Sequence, residues 1–220
     1  MIFTIAAAAD LARQCAPGVA VETMLSVIHT ESRFNSLAIG VNRGGRSKPK
    51  PRSYAEAVNT AYALIRAGYN IDLGLGQINS ANLRRLNLSI EDAFDPCRSL
   101  TAAATVLTAN YLRVLPRSQS TQHALATALS MYNTGKEWRG FTNGYVGRVY
   151  GSAGTVVPSI AGLPKLAPPS TVLAMNRPSD FGAVARRADP QPAPPVRLPE
   201  EGPPAREAPA ASVQGVMVFQ

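Results

Sequence analysis

Proline sets the first limit on what this chain can fold into. It has no amide proton, and its ring blocks the preceding helical turn, so a proline-dense stretch cannot build helix or interior strand. Thirteen of the 18 prolines in these 220 residues lie from Pro158 onward. The chain therefore divides in two. Residues 1–155, rich in Ala and Leu, are expected to form one mainly α domain with a minor β element. Residues 156–220, with runs such as DPQPAPPVRLPEEGPPAREAPA, are expected to be a disordered, flexible Pro-rich tail, because such composition cannot offset the entropy of ordering and favours extended polyproline segments.

Hydrophobic spacing and capping signals place the helices of the first part. One is expected over 4–14. A second runs over 17–32, with Val21, Met24, Leu25 and Ile28 on one buried face. Residues 33–52 contain GVNRGGRSKPKP and read as loop. Ser53 and Glu56 have capping-box spacing and Gly68 is a good stop, which gives a helix over 54–67. Residues 70–78 alternate in part and are punctuated by glycine, so they read as a short extended tongue. Asn79 or Ser80 caps a short helix through Leu86, and Ser89 opens a helical turn that ends at Asp95-Pro96. A helix over 98–115 carries Leu100, Ala103, Ala104, Leu107, Tyr111, Leu112 and Leu115. Two more are expected over 120–132 and 143–151.

The net charge of +8 is concentrated in the first part, where sixteen Lys/Arg stand against nine Asp/Glu up to residue 154. A basic domain suits a polyanionic partner, nucleic acid or cell wall, and equally a surface kept basic for solubility. No nucleic-acid-binding motif accompanies the charge. Five of the cations fall in the loop from Arg43 to Arg52, which either overhangs a binding cleft or is simply solvated. Cys15 and Cys97 are too far apart for a metal knuckle and the chain has two histidines, so no metal site is expected. They are either free thiols or one disulfide of an oxidising compartment. The N-terminus lacks the positive n-region of a signal peptide, and no apolar run reaches the roughly 18–20 residues a membrane span requires.

Three segments carry polar residues where bland ones would do. Glu31 lies three residues after Ile28 and seven after Met24, on the apolar face of its helix. A carboxylate there has its charged form disfavoured and its pKa raised toward that of a general acid; a helix-terminal Glu bent to solvent or paired with Arg is the plainer alternative. In Gly74-Leu75-Gly76-Gln77-Ile78-Asn79 the glycines permit close backbone approach to a ligand, and Gln77 and Asn79 offer amides suited to sugar hydroxyls and acetamido groups, or simply cap a turn. In Ala128-Leu129-Ser130-Met131-Tyr132-Asn133 a helix ends in Tyr-Asn ahead of Gly135.

Taken together, Glu31-Ser32-x-Phe34, Gly74-Leu75-Gly76-Gln77 and Ala128-x-x-x-Tyr132-Asn133 resemble, in order and spacing, the three signatures of the soluble lytic transglycosylase domain, a helical relative of goose-type lysozyme. The likeness runs from about Cys15 to Tyr150. Cys15-Ala16-Pro17, the Asn35–Asn42 stretch, Asp72 to Asn79 and Asp95-Pro96-Cys97 are similar to the transglycosylase subunits of type IV secretion and conjugation systems. The resemblance implies a lysozyme-like fold, Glu31 as the single acid/base carboxylate, and cleavage of peptidoglycan to 1,6-anhydromuramic ends without a cofactor. It also implies a periplasmic place beside other apparatus subunits, met through the tail. Ser32 would contact substrate or orient Glu31. Gln77 and Asn79 would line the saccharide cleft, Tyr132 and Asn133 would position sugar, and Tyr145 would point toward Glu31. Family members often carry Ser where this chain has Gly40 and Met where it has Gly76. Asp72 is either a turn residue or a second carboxylate that makes hydrolysis feasible.

Overall fold

A computed structural model describes residues 1–42 and 49–160. Most of the basic loop and all but the start of the expected tail lie outside the described residues. Eight α-helices and a three-stranded antiparallel sheet make up the described part.

Helix α1 (Ile5–Cys15) begins where the Thr4 hydroxyl accepts from the Ala7 amide, and buries Ala8, Ala9 and Ala12. Cys15 at its end is bonded to Cys97, with Cα atoms 5.3 Å apart and a sequence separation of 82. The Thr101 hydroxyl donates to the carbonyls of both cysteines, at 2.8 and 3.0 Å. Of the two alternatives left by the sequence, the disulfide is the one present. Helix α2 (Val21–Ser32) is the centre of the core, with Met24, Leu25, Val27 and Ile28 fully buried. It starts four residues later than expected because Ala16 to Ala20 form a turn.

The stretch read as loop contains a strand, β1 (Ile39–Asn42), that pairs with β2 (Asn70–Leu73); the tongue then turns through Gly74–Gln77 into β3 (Ile78–Asn79). Alternation gives the sheet two faces. Ile39, Ile71, Leu73 and Ile78 point into the core. Gly40, Asn42, Asn70, Asp72 and Asn79 share the other face, with Gly40 and Asn79 both opposite Asp72.

Helix α3 (Tyr54–Arg66) is capped by Ser53, while Glu56 accepts from the amide of Arg52, one residue outside the expected box. After a single 3-10 turn at Ser80–Asn82, in place of a helix to Leu86, Ser89 and Asp92 close a capping box on α4 (Ile90–Phe94). Asp95 caps α5 (Pro96–Val114), whose first residue is a proline, the position where its missing amide proton costs nothing. Leu112, counted from spacing with the buried face of this helix, is 45% exposed. Helix α6 (Thr121–Thr134) ends at the left-handed Gly135. The short α7 (Arg139–Thr142), absent from the sequence reading, packs against it, with the Gly140 amide donating to the Ser130 hydroxyl at 2.7 Å. Helix α8 (Tyr145–Val156) lies along α2, and the Thr30 hydroxyl donates to that of Ser152 at 2.9 Å. It runs beyond residue 155, the expected limit of the domain, and Val156 and Val157 both join the core. No helix among the described residues is long and apolar enough to cross a membrane.

Candidate active site

The end of α2, the polar face of the sheet with the turns that follow it, α5 and the stretch from the end of α6 to Asn143 enclose a groove of about 790 Å³. Seven of its twenty lining residues are asparagines, so the surface is mainly one of neutral hydrogen-bond donors and acceptors, suited to a polyhydroxylated ligand.

Glu31 lines this groove from the last turn of α2. The chain leaves the helix through two successive left-handed residues, Arg33 (φ 54°) and Phe34 (φ 63°). Such a conformation costs a non-glycine residue roughly 1 kcal/mol or more. Burial of the Phe34 side chain, its carbonyl's bond from the Phe3 amide at 3.0 Å, and the His29 ring 5.2 Å away hold it there. The helix therefore stops immediately after its carboxylate.

The Tyr145 hydroxyl donates to Glu31 Oε1 at 2.6 Å. Tyr145 is the first residue of α8, and its amide is fixed by Asn143 Oδ1 at 2.9 Å. Burial pushes the Glu31 carboxyl up from 4.5 to about 7; the Tyr145 bond and the Arg148 charge work against that rise, and the nearby Asp72 charge adds to it. The phenols of Tyr145 and Tyr132 are pushed well above their ordinary value, mainly by burial and next by the negative charge of Glu31. Both remain hydroxyl donors.

Asp72 faces the groove inside a cage of amides. Asn42 Nδ2 donates to one carboxylate oxygen at 2.8 Å and Asn79 Nδ2 to the other at 2.7 Å, while Asn70 and Asn79 exchange bonds of 2.8 and 2.6 Å. Burial raises the Asp72 pKa and the two amides oppose the rise.

The tongue holds this wall in place. Gly74 has φ +72°, and a Cβ on it would lie 1.9 Å from the Ala93 carbonyl oxygen, so only glycine fits. The Gln77 backbone is left-handed (φ 48°), and its side-chain amide donates to the carbonyls of Gly74 and Ala38 at 2.9 and 3.2 Å. Gln77 thus braces the turn as well as lining the groove. The Tyr132 hydroxyl donates to the Gly76 carbonyl at 2.6 Å, where a Cβ on Gly76 would crowd it at 3.2 Å. Asn133 accepts from Asn143 Nδ2 at 2.9 Å at the groove edge.

Of the residues expected from sequence, Glu31, Gln77, Asn79, Tyr132 and Asn133 come together along the groove, and Tyr145 meets Glu31 from beneath. Ser32 does not join them. Its buried hydroxyl donates to the Ile28 carbonyl at 3.0 Å, because the position after Glu31 turns back into the helix bundle. Sequence reasoning missed Asn42 and Asn70, as well as the face of α5 formed by Val106, Asn110 and Arg113. The signal for the latter was the polar pair Asn110 and Arg113, at i and i+3 on the helix. Among the described residues no group of three or more His, Cys, Asp or Glu could hold a metal ion.

Comparison with known proteins gives the family of the chain. The family model described as "Transglycosylase SLT domain" matches residues 10–150. "Type IV secretion system protein virB1" of Brucella suis biovar 1 (strain 1330) is 35% identical over 233 residues, which cover 95% of this chain and 98% of that protein. "Protein virB1" of Agrobacterium fabrum (strain C58 / ATCC 33970) is 37% identical over 156 residues, covering 71% of this chain and 63% of the relative. No solved structure gives a significant match. The matched span contains every residue that builds the groove wall around Glu31, and the chain belongs to the transglycosylase SLT domain family.

Proposed function

We propose that this protein is a peptidoglycan lytic transglycosylase that cleaves the β-1,4 bond between N-acetylmuramic acid and N-acetylglucosamine. One observation carries the reading: a half-buried carboxyl, Glu31, sits in an amide-lined groove with its pKa near 7 and a tyrosine hydroxyl on one oxygen. At neutral pH such a group is populated in both forms, as a catalyst that first gives and then takes a proton requires.

As an acid, Glu31 protonates the glycosidic oxygen as the bond to C1 breaks. Its carboxylate then takes the proton of the muramic acid 6-hydroxyl, whose oxygen attacks C1 and closes the 1,6-anhydro ring. The proton returns to Glu31 and no water is consumed, so the step needs no second carboxylate to activate one, unlike the usual two-carboxylate glycosidase. The Tyr145 hydroxyl holds the carboxylate in one orientation and supports its charged form between the two transfers. Asn79, Tyr132 and Asn133 position the sugars, and Gln77 keeps the tongue in shape beside them. No cofactor takes part.

The two relatives named above are type IV secretion and virB1 proteins. By that similarity the reaction serves local opening of the wall in the periplasm, so that a secretion or conjugation apparatus can assemble through it. Residues 1–155, extended by Val156 and the 3-10 turn Val157–Ser159, form the catalytic domain, and the Pro-rich segment beyond would meet other subunits.

The test is mass spectrometry of sacculi digested by the protein and by Glu31→Gln. Anhydromuropeptides from the wild type alone are expected. Reducing ends from the wild type would mean hydrolysis, the second reading, which the presence of Asp72 in the same groove favours. Binding without release from an otherwise folded wild type would leave only a peptidoglycan-binding scaffold.

A further inference from the structure

A second cavity, of about 260 Å³, lies between the end of α2 and α8 and shares no lining residue with the groove. From the end of α2 come His29, Thr30 and Arg33, and from α8 come Arg148, Ser152 and Thr155. The lining thus combines two guanidinium groups, an imidazole and three hydroxyls, with no carboxylate. At Gly151 it is bare helix, and a Cβ built there would meet nothing within 4 Å.

Neither guanidinium is neutralised by an acid. Elsewhere Arg13, Arg98 and Arg117 are paired with Asp10, Asp92 and Glu137. Arg33 and Arg148 have no such ion pair among the described residues. Arg33 instead donates to the His29 ring, with Nε2 at 2.9 Å, and an imidazole that accepts from a cation is in its neutral form. Burial and then the Arg33 charge lower the His29 pKa, which favours that form. Arg148 donates to the Asn143 carbonyl at 3.0 Å and lies 5.8 Å from the centre of the Tyr145 ring. Each contact orients a cation, and none cancels its charge. The Thr30–Ser152 hydroxyl bond, at 2.9 Å, ties the two helices together beside them.

Two unneutralised cations held in one small cavity call for an anion. A carboxylate has two oxygens and is filled by one bidentate guanidinium. A phosphoryl group has three or more, and can take a guanidinium from each helix and a hydroxyl besides. At about 260 Å³ against about 790 Å³ for the groove, the cavity suits such a group rather than a second glycan strand.

We propose that this cavity is a phosphoryl-binding site, in which Arg33 and Arg148 grip the phosphate oxygens. Free phosphate, a soluble phosphoester and the phosphate of a lipid headgroup share that chemistry. The proposal does not depend on the peptidoglycan reading above.

The test is a titration of the full chain with inorganic phosphate, followed through the backbone amide NMR shifts of Arg33, Gly151 and Ser152, with acetate at equal ionic strength as the reference anion. Co-sedimentation with phosphatidylglycerol vesicles provides the lipid arm. Two pocket variants are compared with the wild type. Arg33→Gln/Arg148→Gln removes both cations. Gly151→Glu sets a carboxylate in the open space and leaves both arginines in place. Arg66→Gln/Arg84→Gln removes the same charge at exposed positions outside both cavities. The wild type should saturate with a Kd on the order of 1 mM, as a few exposed charge-assisted bonds provide. Both pocket variants should bind at least tenfold more weakly, and Arg66→Gln/Arg84→Gln as the wild type does. Vesicle retention lost in the pocket variants alone would assign a lipid headgroup. Phosphate binding with no such retention would assign a free phosphate or soluble ester. Phosphate shifts that persist in both pocket variants would overturn the proposal, as would acetate moving the same amides equally, or no saturation in the wild type.

Discussion

Replacing Glu31 with Gln should stabilise the protein, and by an amount that depends on pH in a defined direction. The folded carboxyl titrates near 7, against 4.5 for the ordinary group. Between those values the folded chain holds a proton that the unfolded chain has lost. Stability therefore falls by up to about 1.4 kcal/mol for each pH unit climbed through that window. From 4.5 to about 7 this accumulates to roughly 3 kcal/mol, present in full below the window and lost above it. Glutamine is isosteric, its amide oxygen can still accept from the Tyr145 hydroxyl, and it does not titrate. At pH 4 the variant and the wild type should thus melt close together. At pH 8 the variant should be more stable by about 3 kcal/mol, or roughly 6–10 °C in Tm for a domain of this size. Thermal unfolding followed by circular dichroism at the two pH values measures the difference, and any pH-independent effect of the substitution cancels. A gap of equal size at both pH values, or a variant less stable at pH 8, would refute the claim that burial of this carboxyl is what perturbs it.

Tyr145→Phe removes a hydrogen bond to the charged form of Glu31, a bond of the kind that contributes about 1.5–3 kcal/mol. The descending limb of kcat/KM against pH, placed near 7 by Glu31, should move up by about one unit or more; an unchanged midpoint would remove Tyr145 from the acid/base device. Reduction of the Cys15–Cys97 bond opens a loop spanning 82 residues and should cost about 4–5 kcal/mol in the chain-entropy account. Denaturant melts with and without reductant report it, and a loss under about 1 kcal/mol would contradict loop closure as the stabilising effect. Gly74→Ala places a Cβ against the Ala93 carbonyl at a positive φ, so a loss of about 3 kcal/mol or more is expected, with wild-type stability the contrary result.

The helices were legible because their signals are local. Thr4, Ser53, Ser89, Asp95 and Ser120 each accept from an amide three residues on, which is a property of neighbours in sequence. Strand β1 was not legible, since Ile39–Asn42 becomes a strand only by pairing with Asn70–Leu73, across a separation no local pattern encodes. The same holds for α7, a single turn that exists because Gly140 packs against Ser130 at a distance a side chain would not permit.

The site divides along the same line. Glu31 could be found because a carboxyl on the apolar face of a helix is anomalous within its own segment, and Gly74 because a strand edge seldom tolerates such a residue without need. The amide cage of Asp72 could not, for Asn42 and Asn79 come from strands on either side of it and nothing local to either joins it to Asp72. Ser32 was misplaced for the opposite reason. Adjacent to Glu31 in sequence, it is about 100° away around the helix, and its hydroxyl returns to Ile28. Proximity in sequence to a groove-facing group is thus poor evidence of proximity in space at a helix end. The residues that tune Glu31 most directly, Tyr145, Asp72 and Arg148, lie on β2 and at the start of α8, and it is the packing of α8 along α2 and of the sheet beside the groove that turns one isolated carboxyl into a group titrating near 7.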